Sequence, residues 1–283
     1  MGSIRIGTCS WKFPSWEGLL YTSTHHADEY LAEYAQRFDM VEVDQWFWSL
    51  GKQSAALPKE ETVSTYDRQT PSNFRFTIKC PNALTRPFHD KEDGRDRENR
   101  FFLDPELMQA LIATLQPIRT KIGVLMLQFG YLNRKAFGDQ SQFLRSLDRF
   151  FDAVDNQIPY GIELRNPQWL NGTWFSWLAE RRIAPVLIQG YWMEDICRTI
   201  DRFEPLFGDT VSIRLHGEDR QEMEELTHEV WDRLVHPREV ELARVAASIK
   251  TLAERGRVVY VQVNNHYEGS AILTIERLRA FLA

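Results

Sequence analysis

Short stretches of strict apolar/polar alternation, separated by longer stretches of helical period, run through this chain. Residues 4–9 set Ile4 and Ile6 against Arg5, Gly7 and Cys9. Residues 40–44 set Val41 and Val43 against Glu42 and Asp44, and residues 74–80 set Phe74, Phe76 and Ile78 against Arg75, Thr77 and Lys79. The pattern returns at 160–165, 210–216 and 258–265, with Glu163 and Arg165, then Ser212, Arg214 and His216, then Tyr260, Gln262 and Asn264 on the polar side. A period of two places such side chains on opposite faces of a strand. A fourth strand at 122–128 ends on Gln128, and a sixth at 183–189 is weakened by Pro185. Asn166-Pro167 ends the fifth strand, because proline cannot donate to a ladder.

Between the strands the period lengthens. Tyr30, Leu31, Tyr34, Ala35 and Phe38 form one helical stripe, with Ser23 or Thr24 as its N-cap and Asp28 and Glu29 in its first turn. Further helices are predicted at 55–68, 101–118, 139–154, 174–182, 218–229, 239–255 and 273–282. After the sixth strand only Tyr191 and Trp192 stand out. Residues 81–100 are long, charged and without period, and read as a mobile flap that orders on ligand binding.

Eight strands alternating with helices predict a parallel sheet. Buried parallel strands are normally apolar on both faces, yet here one parity is polar in nearly every strand. A closed barrel explains this, with Val, Ile and Leu meeting the helices and polar side chains filling the interior. The expected fold is therefore α/β, one (β/α)8 TIM barrel over residues 1–283 with a charged loop at about 81–100. An open doubly wound sheet is the alternative.

Active sites of such barrels lie at the C-terminal ends of the strands. That rule collects Cys9, Glu42, Asp44, Lys79, Gln128, Glu163, Arg165, Gln189, Arg214, His216, Asn264 and Asn265. Glu42 and Glu163 are the candidate acid and base. Glu163, expected between Arg165 and Arg214, should stay ionised, so Glu42 is the better acid. Lys79 is a candidate Schiff-base amine and His216 a candidate proton shuttle. Arg165, Arg214 and Lys79 suit an anionic substrate; Asn264, Asn265, Gln128, Asp44, Trp11 and Trp169 are candidate substrate contacts. The competing account is an internally neutralised network, Glu163 with Arg214 and Asp44 with Lys79. His216 with Glu42, Asp44 and Glu163 offers metal-type donors, but two arginines and a lysine would repel a cation, so no metal and no cofactor are expected. Six of the nine tryptophans, Trp11, Trp16, Trp46, Trp48, Trp169 and Trp192, follow strands on the mouth side. They either stack on a ligand ring or cap the rim.

Composition narrows the partners. A net charge of -6 over 283 residues argues against a duplex-DNA partner, although it leaves room for a local basic patch. No apolar run is long enough to span a bilayer, and Met1 to Ile4 opens no signal-type segment. Cys9, Cys80 and Cys197 are an odd count without metal spacing. A cytoplasmic protein without membrane partners is expected.

The order and spacing of several pieces resemble the YecE-like family, also called Domain of Unknown Function 72. They are Ile6-Gly7-Thr8 with Trp11, Phe38 with Val41-Glu42-Val43, Phe74-Arg75-Phe76 with Lys79 and Pro81, and Gln128. Glu163-Leu164-Arg165 with Trp169, Arg214-Leu215-His216-Gly217 and Asn264-Asn265 complete the set. The resemblance implies a TIM barrel and carries no established reaction. It also marks departures: Asp44 in place of Asn, Cys9-Ser10 in place of Ser-Gly, Arg86 in place of His, Gly130-Tyr131 in place of Pro-Pro, and Asn166 in place of His. The expected function is acid/base chemistry on a small anionic or sugar-containing substrate. The alternatives are a metal-dependent phosphodiesterase or nuclease and a non-catalytic ligand-binding protein.

Overall fold

The computed structural model describes residues 2–22, 29–89 and 97–283. The chain forms eight parallel strands: β1 (Ser3–Thr8), β2 (Met40–Val43), β3 (Arg75–Lys79), β4 (Ile122–Phe129), β5 (Tyr160–Leu164), β6 (Ala184–Gly190), β7 (Thr210–Gly217) and β8 (Val258–Val263). From β2 to β8 each strand pairs with the next in sequence, and β1 pairs with β8, in the order of a TIM barrel. The helices are α1 (Tyr30–Arg37), α2 (Glu60–Gln69), α3 (Pro105–Thr114), α4 (Gln140–Phe151), α5 (Gly172–Glu180), α6 (Ile196–Phe203), α7 (Arg220–Thr227), α8 (Glu239–Glu254) and α9 (Ala271–Leu282).

The barrel closes between β1 and β2 through one bridge, Cys9 to Glu42. Two residues make that seam. Gly7 packs so tightly that a Cβ there would lie 2.1 Å from the Met40 carbonyl oxygen. The Tyr34 hydroxyl then spans the gap, accepting from the Thr8 amide at 2.9 Å and donating to the Met40 carbonyl at 3.0 Å. A side chain of α1 thus supplies the hydrogen bonds that the two strands lack there.

The interior is layered. Val41, Val43, Phe76, Ile78, Ile162, Ile213, Val259 and Val261 face the helices and join the main core. Inside the barrel, Met40, Val124, Met126, Val186 and Tyr260 form a separate apolar cluster. Polar side chains therefore do not fill the whole interior as expected: this apolar layer separates the polar mouth from Arg5 and Arg75, which share the inward parity at the opposite end. Within that layer an unpaired polar group would cost several kcal/mol.

Element boundaries follow local chemistry. Asp104, Asp139, Asn171, Asp195 and Asp219 each accept from a first-turn amide. Helix α2 begins at Glu60, later than predicted, because Pro58 keeps Leu57 out of helical space. The stretch predicted as helical at 101–118 starts only at Pro105 and gives way to a 3-10 segment, Gln116–Lys121, around Pro117. Helix α6 had no predicted counterpart. The expected caps Ser23 and Thr24, and Asp28, lie outside the described residues.

Of the expected flap, residues 90–96 lie outside the described set. Its flanks are packed. Pro81 to Thr85 are buried, Phe88 bridges Glu98, and buried Asn99 donates to the carbonyls of Ala83 and Arg86. Among the described residues, no helix is long and apolar enough to cross a membrane.

Candidate functional site

At the mouth, register sets the order of side chains. Glu42 follows Met40 on the inward face of β2, Glu163 follows Gly161 on β5, and Arg214 follows Ser212 on β7. Arg214 is 1% exposed and lies at the centre. Its Nε and Nη2 donate to the two oxygens of Glu42, each at 2.7 Å. Its Nη1 donates to Glu163 at 2.5 Å and to the Gln128 carbonyl oxygen at 3.2 Å. The other oxygen of Glu163 accepts from Arg165 Nε at 2.7 Å. Two guanidiniums thus neutralise two carboxylates that are both 0% exposed. Burial pushes the Glu163 carboxyl up, but Arg214 and Arg165 outweigh it and hold the group down at about 2. For Arg214 burial opposes the charge, and Glu42 and Glu163 keep it firmly protonated.

The sequence expectation for Glu163 therefore matches the geometry. Glu42 faces Arg214 from the other side. Both Glu42 oxygens accept charge-assisted bonds in a fork with Arg214. The expected Asp44–Lys79 pair is absent. Lys79 makes no ion pair among the described residues, and its Nζ lies 4.1 Å from the Phe47 ring centre. Burial lowers its basicity, with Arg214 adding to the effect and Glu42, Glu163 and Asp44 opposing it. Burial, then Glu42, raises the Asp44 carboxyl.

Above this layer opens a cavity of about 690 Å³. Lys79, Arg86, Arg165, Arg214 and Arg220 line it on the cationic side, against the single carboxylate of Asp44. The Arg165 guanidinium stacks over Tyr191 at 4.6 Å, and its two Nη groups make no hydrogen bond among the described residues. His216 places Nε2 3.8 Å from the Cys9 sulfur and Nδ1 3.3 Å from the Tyr191 hydroxyl. Burial, then Arg214, Arg165 and Lys79, drives the His216 pKa well below its ordinary value. Burial, then Glu42, pushes the Cys9 thiol well up. Asn264 accepts from the His266 amide at 2.9 Å.

Several expected contacts lie elsewhere. Trp11 is buried edge-on against Tyr66, and Trp169 stacks on Phe143. Asn265 accepts from the Ala271 amide and caps α9. Gln189 points outward, where its carbonyl accepts from the Ile196 amide at the start of α6. Of the six mouth-side tryptophans only Trp48, 77% exposed, lines the cavity. Tyr191, Phe47, Arg220 and His266 line it too, although alternation could not single them out, since they lie beyond the strands, Arg220 at the start of α7 and His266 in a 3-10 turn. Their only signal was position just after a strand.

Fold and site together define an α/β barrel with a cation-lined mouth over an internally neutralised layer. The chain belongs to the family described as "Protein of unknown function DUF72", whose model matches residues 5–283. It is 28% identical over 166 residues to UPF0759 protein YecE of Escherichia coli, a match covering 59% of this chain and 50% of that relative. The matched stretch thus spans about half the length of the curated relative. A DUF72 family protein from Enterococcus faecalis superposes with a TM-score of 0.72 at 20% identity, covering 99% of this chain and 95% of its own. One from Thermotoga maritima gives 0.69 at 21% identity, covering 99% and 98%. These likenesses concern the fold.

Proposed function

We propose that the barrel mouth binds a small anionic molecule and that Lys79 exchanges a proton with it. One observation carries this reading. Lys79 and the Nη fork of Arg165 share one cavity, and neither is engaged by a carboxylate there. A planar guanidinium fork matches a carboxylate or phosphate in two parallel hydrogen bonds. The Arg214–Glu42–Glu163 layer beneath is the rigid floor that aims Arg165. Lys79, made less basic by its surroundings, is suited to act as a base or carbonyl-capturing amine. Glu42 and Glu163, by contrast, act by orienting the cations.

That floor also supports a second reading, in which the mouth binds its ligand without turnover, since both expected carboxylate catalysts are locked in ion pairs.

The test is thermal unfolding with increasing inorganic phosphate, comparing wild type with Lys79→Met. Phosphate bound at the mouth raises the wild-type Tm through preferential binding to the native state. Lys79→Met should lose most of that rise. An equal rise in both would place the anion elsewhere. Arg214→Ala is the wrong variant, because it would strand two buried carboxylates.

A further inference from the structure

The seam of the barrel brings together three donors of a kind that anion binding does not explain. The Cys9 sulfur, a Glu42 oxygen and a His216 ring nitrogen all lie within 4.8 Å of one another. They come from β1, β2 and β7, so no sequence spacing announces them. From this geometry we infer that Cys9, His216 and Glu42 hold a thiophilic divalent cation of the Zn2+ type, with its remaining position open to the mouth cavity.

Four features support it. The first is distance. A tetrahedral zinc, with bonds of about 2.3 Å to sulfur and about 2.0 Å to nitrogen, holds those atoms roughly 3.5 Å apart. The Cys9 sulfur and His216 Nε2 stand at 3.8 Å, so small rotations suffice. The second is donor type. A thiol, an imidazole and a carboxylate select zinc or cobalt over magnesium or calcium, which prefer oxygen alone.

The third is the surrounding shell. Ligating histidines commonly make a hydrogen bond through the second ring nitrogen, which fixes the ring. The Tyr191 hydroxyl lies 3.3 Å from His216 Nδ1, leaving Nε2 turned to Cys9. Glu42 is clamped by Arg214, and each of its oxygens keeps a second lone pair. The fourth is charge. Two arginines beside a cation site would normally repel the ion. Here Arg214 and Arg165 are matched by Glu42 and Glu163, leaving Lys79 as the uncompensated cation of this layer. Cys9 and His216 both line the cavity, so a bound ion would be accessible from it.

Co2+ titration of chelator-treated protein reads the site, because thiolate bonded to tetrahedral cobalt gives a near-ultraviolet charge-transfer band. One equivalent should bind to wild type with that band. Cys9→Ser should lose the band while keeping its melting transition, and Cys80→Ser should keep it. Tyr191→Phe should weaken binding by about tenfold, and His216→Ala by more. Lys79→Met should retain the band even though it loses the phosphate response, so this site and the anion site fail separately. Absence of the band in wild type, its survival in Cys9→Ser, or unchanged affinity in His216→Ala overturns the inference.

Discussion

At the scale of single residues, Arg214 decides what its neighbours can do. It is buried, and each of its hydrogen bonds ends on a group that is itself buried or half-buried. Removing one partner of such a pair costs about 3 to 5 kcal/mol, because the other charge stays in a low dielectric. Glu163→Gln should therefore lower stability by a few kcal/mol in urea unfolding, and Glu42→Gln should cost as much, since it removes a bidentate partner. A Glu42→Gln cost well below that of Glu163→Gln would show that the Arg214–Glu42 fork contributes little to the fold. The Glu163 pKa falls from 4.5 to about 2 in the fold. A depressed carboxylate adds stability above its unfolded pKa and loses it as pH falls through the folded one. Wild type should thus lose roughly 3 kcal/mol from this group between pH 4.5 and 2, and Glu163→Gln should lack that component. Lys79 has the opposite character. Its pKa is lowered, so the native fold disfavours its charged form. Lys79→Met should raise stability by about 0.5 to 2 kcal/mol while removing anion binding, as expected when a residue serves function over stability. A Lys79→Met protein that melts lower than wild type would show that the ammonium is a structural cation.

At the scale of elements, alternation located six of the eight strands because their outward face is buried against helices and their inward face ends in polar groups, while β4 and β6 were read from apolar runs. Taking strand ends as mouth-facing misled at β6. Val186 and Ile188 take the inward parity there, in register with Ser212 and Arg214 on β7, and that turns Gln189 outward. Gln189 then satisfies the first amide of α6. The helix itself escaped notice, as it spans only eight residues and carries charged Arg198, Asp201 and Arg202 on its outer side. Gln189→Leu should cost about 1 kcal/mol, the usual value of one helix-start hydrogen bond. Hydrogen exchange should speed up at the start of α6 while the phosphate response of the protein stays intact. Loss of that response would return Gln189 to the site. Asn265 was misread for the same reason as Gln189, since a polar residue at a strand end can cap the next helix as readily as it can face a ligand.

At the scale of the whole molecule, the barrel follows from strand count, alternation and short connections, all local properties of the sequence. What joins at its mouth does not. The Cys9–Glu42 seam, the fork of Glu42 on Arg214 and the freedom of Lys79 from Asp44 all depend on which strands become neighbours and how far each side chain reaches. The sequence pointed to the end of the barrel where the charged layer lies and to most of its charged groups. It did not show that both Glu42 oxygens would be taken up by the Arg214 fork. Trp11 and Trp169 were drawn to the mouth by position alone, and packing buried Trp11 against Tyr66 and stacked the half-buried Trp169 on Phe143. The central claim is that Lys79 and Arg165 form one anion site above a neutral floor. Crystals soaked in selenate test it most directly, because the anomalous signal of selenium locates an oxyanion without assumption. The account predicts a peak within hydrogen-bonding distance of Lys79 Nζ and the Nη groups of Arg165. Selenate bound only at exposed arginines, with the mouth left free, would contradict it.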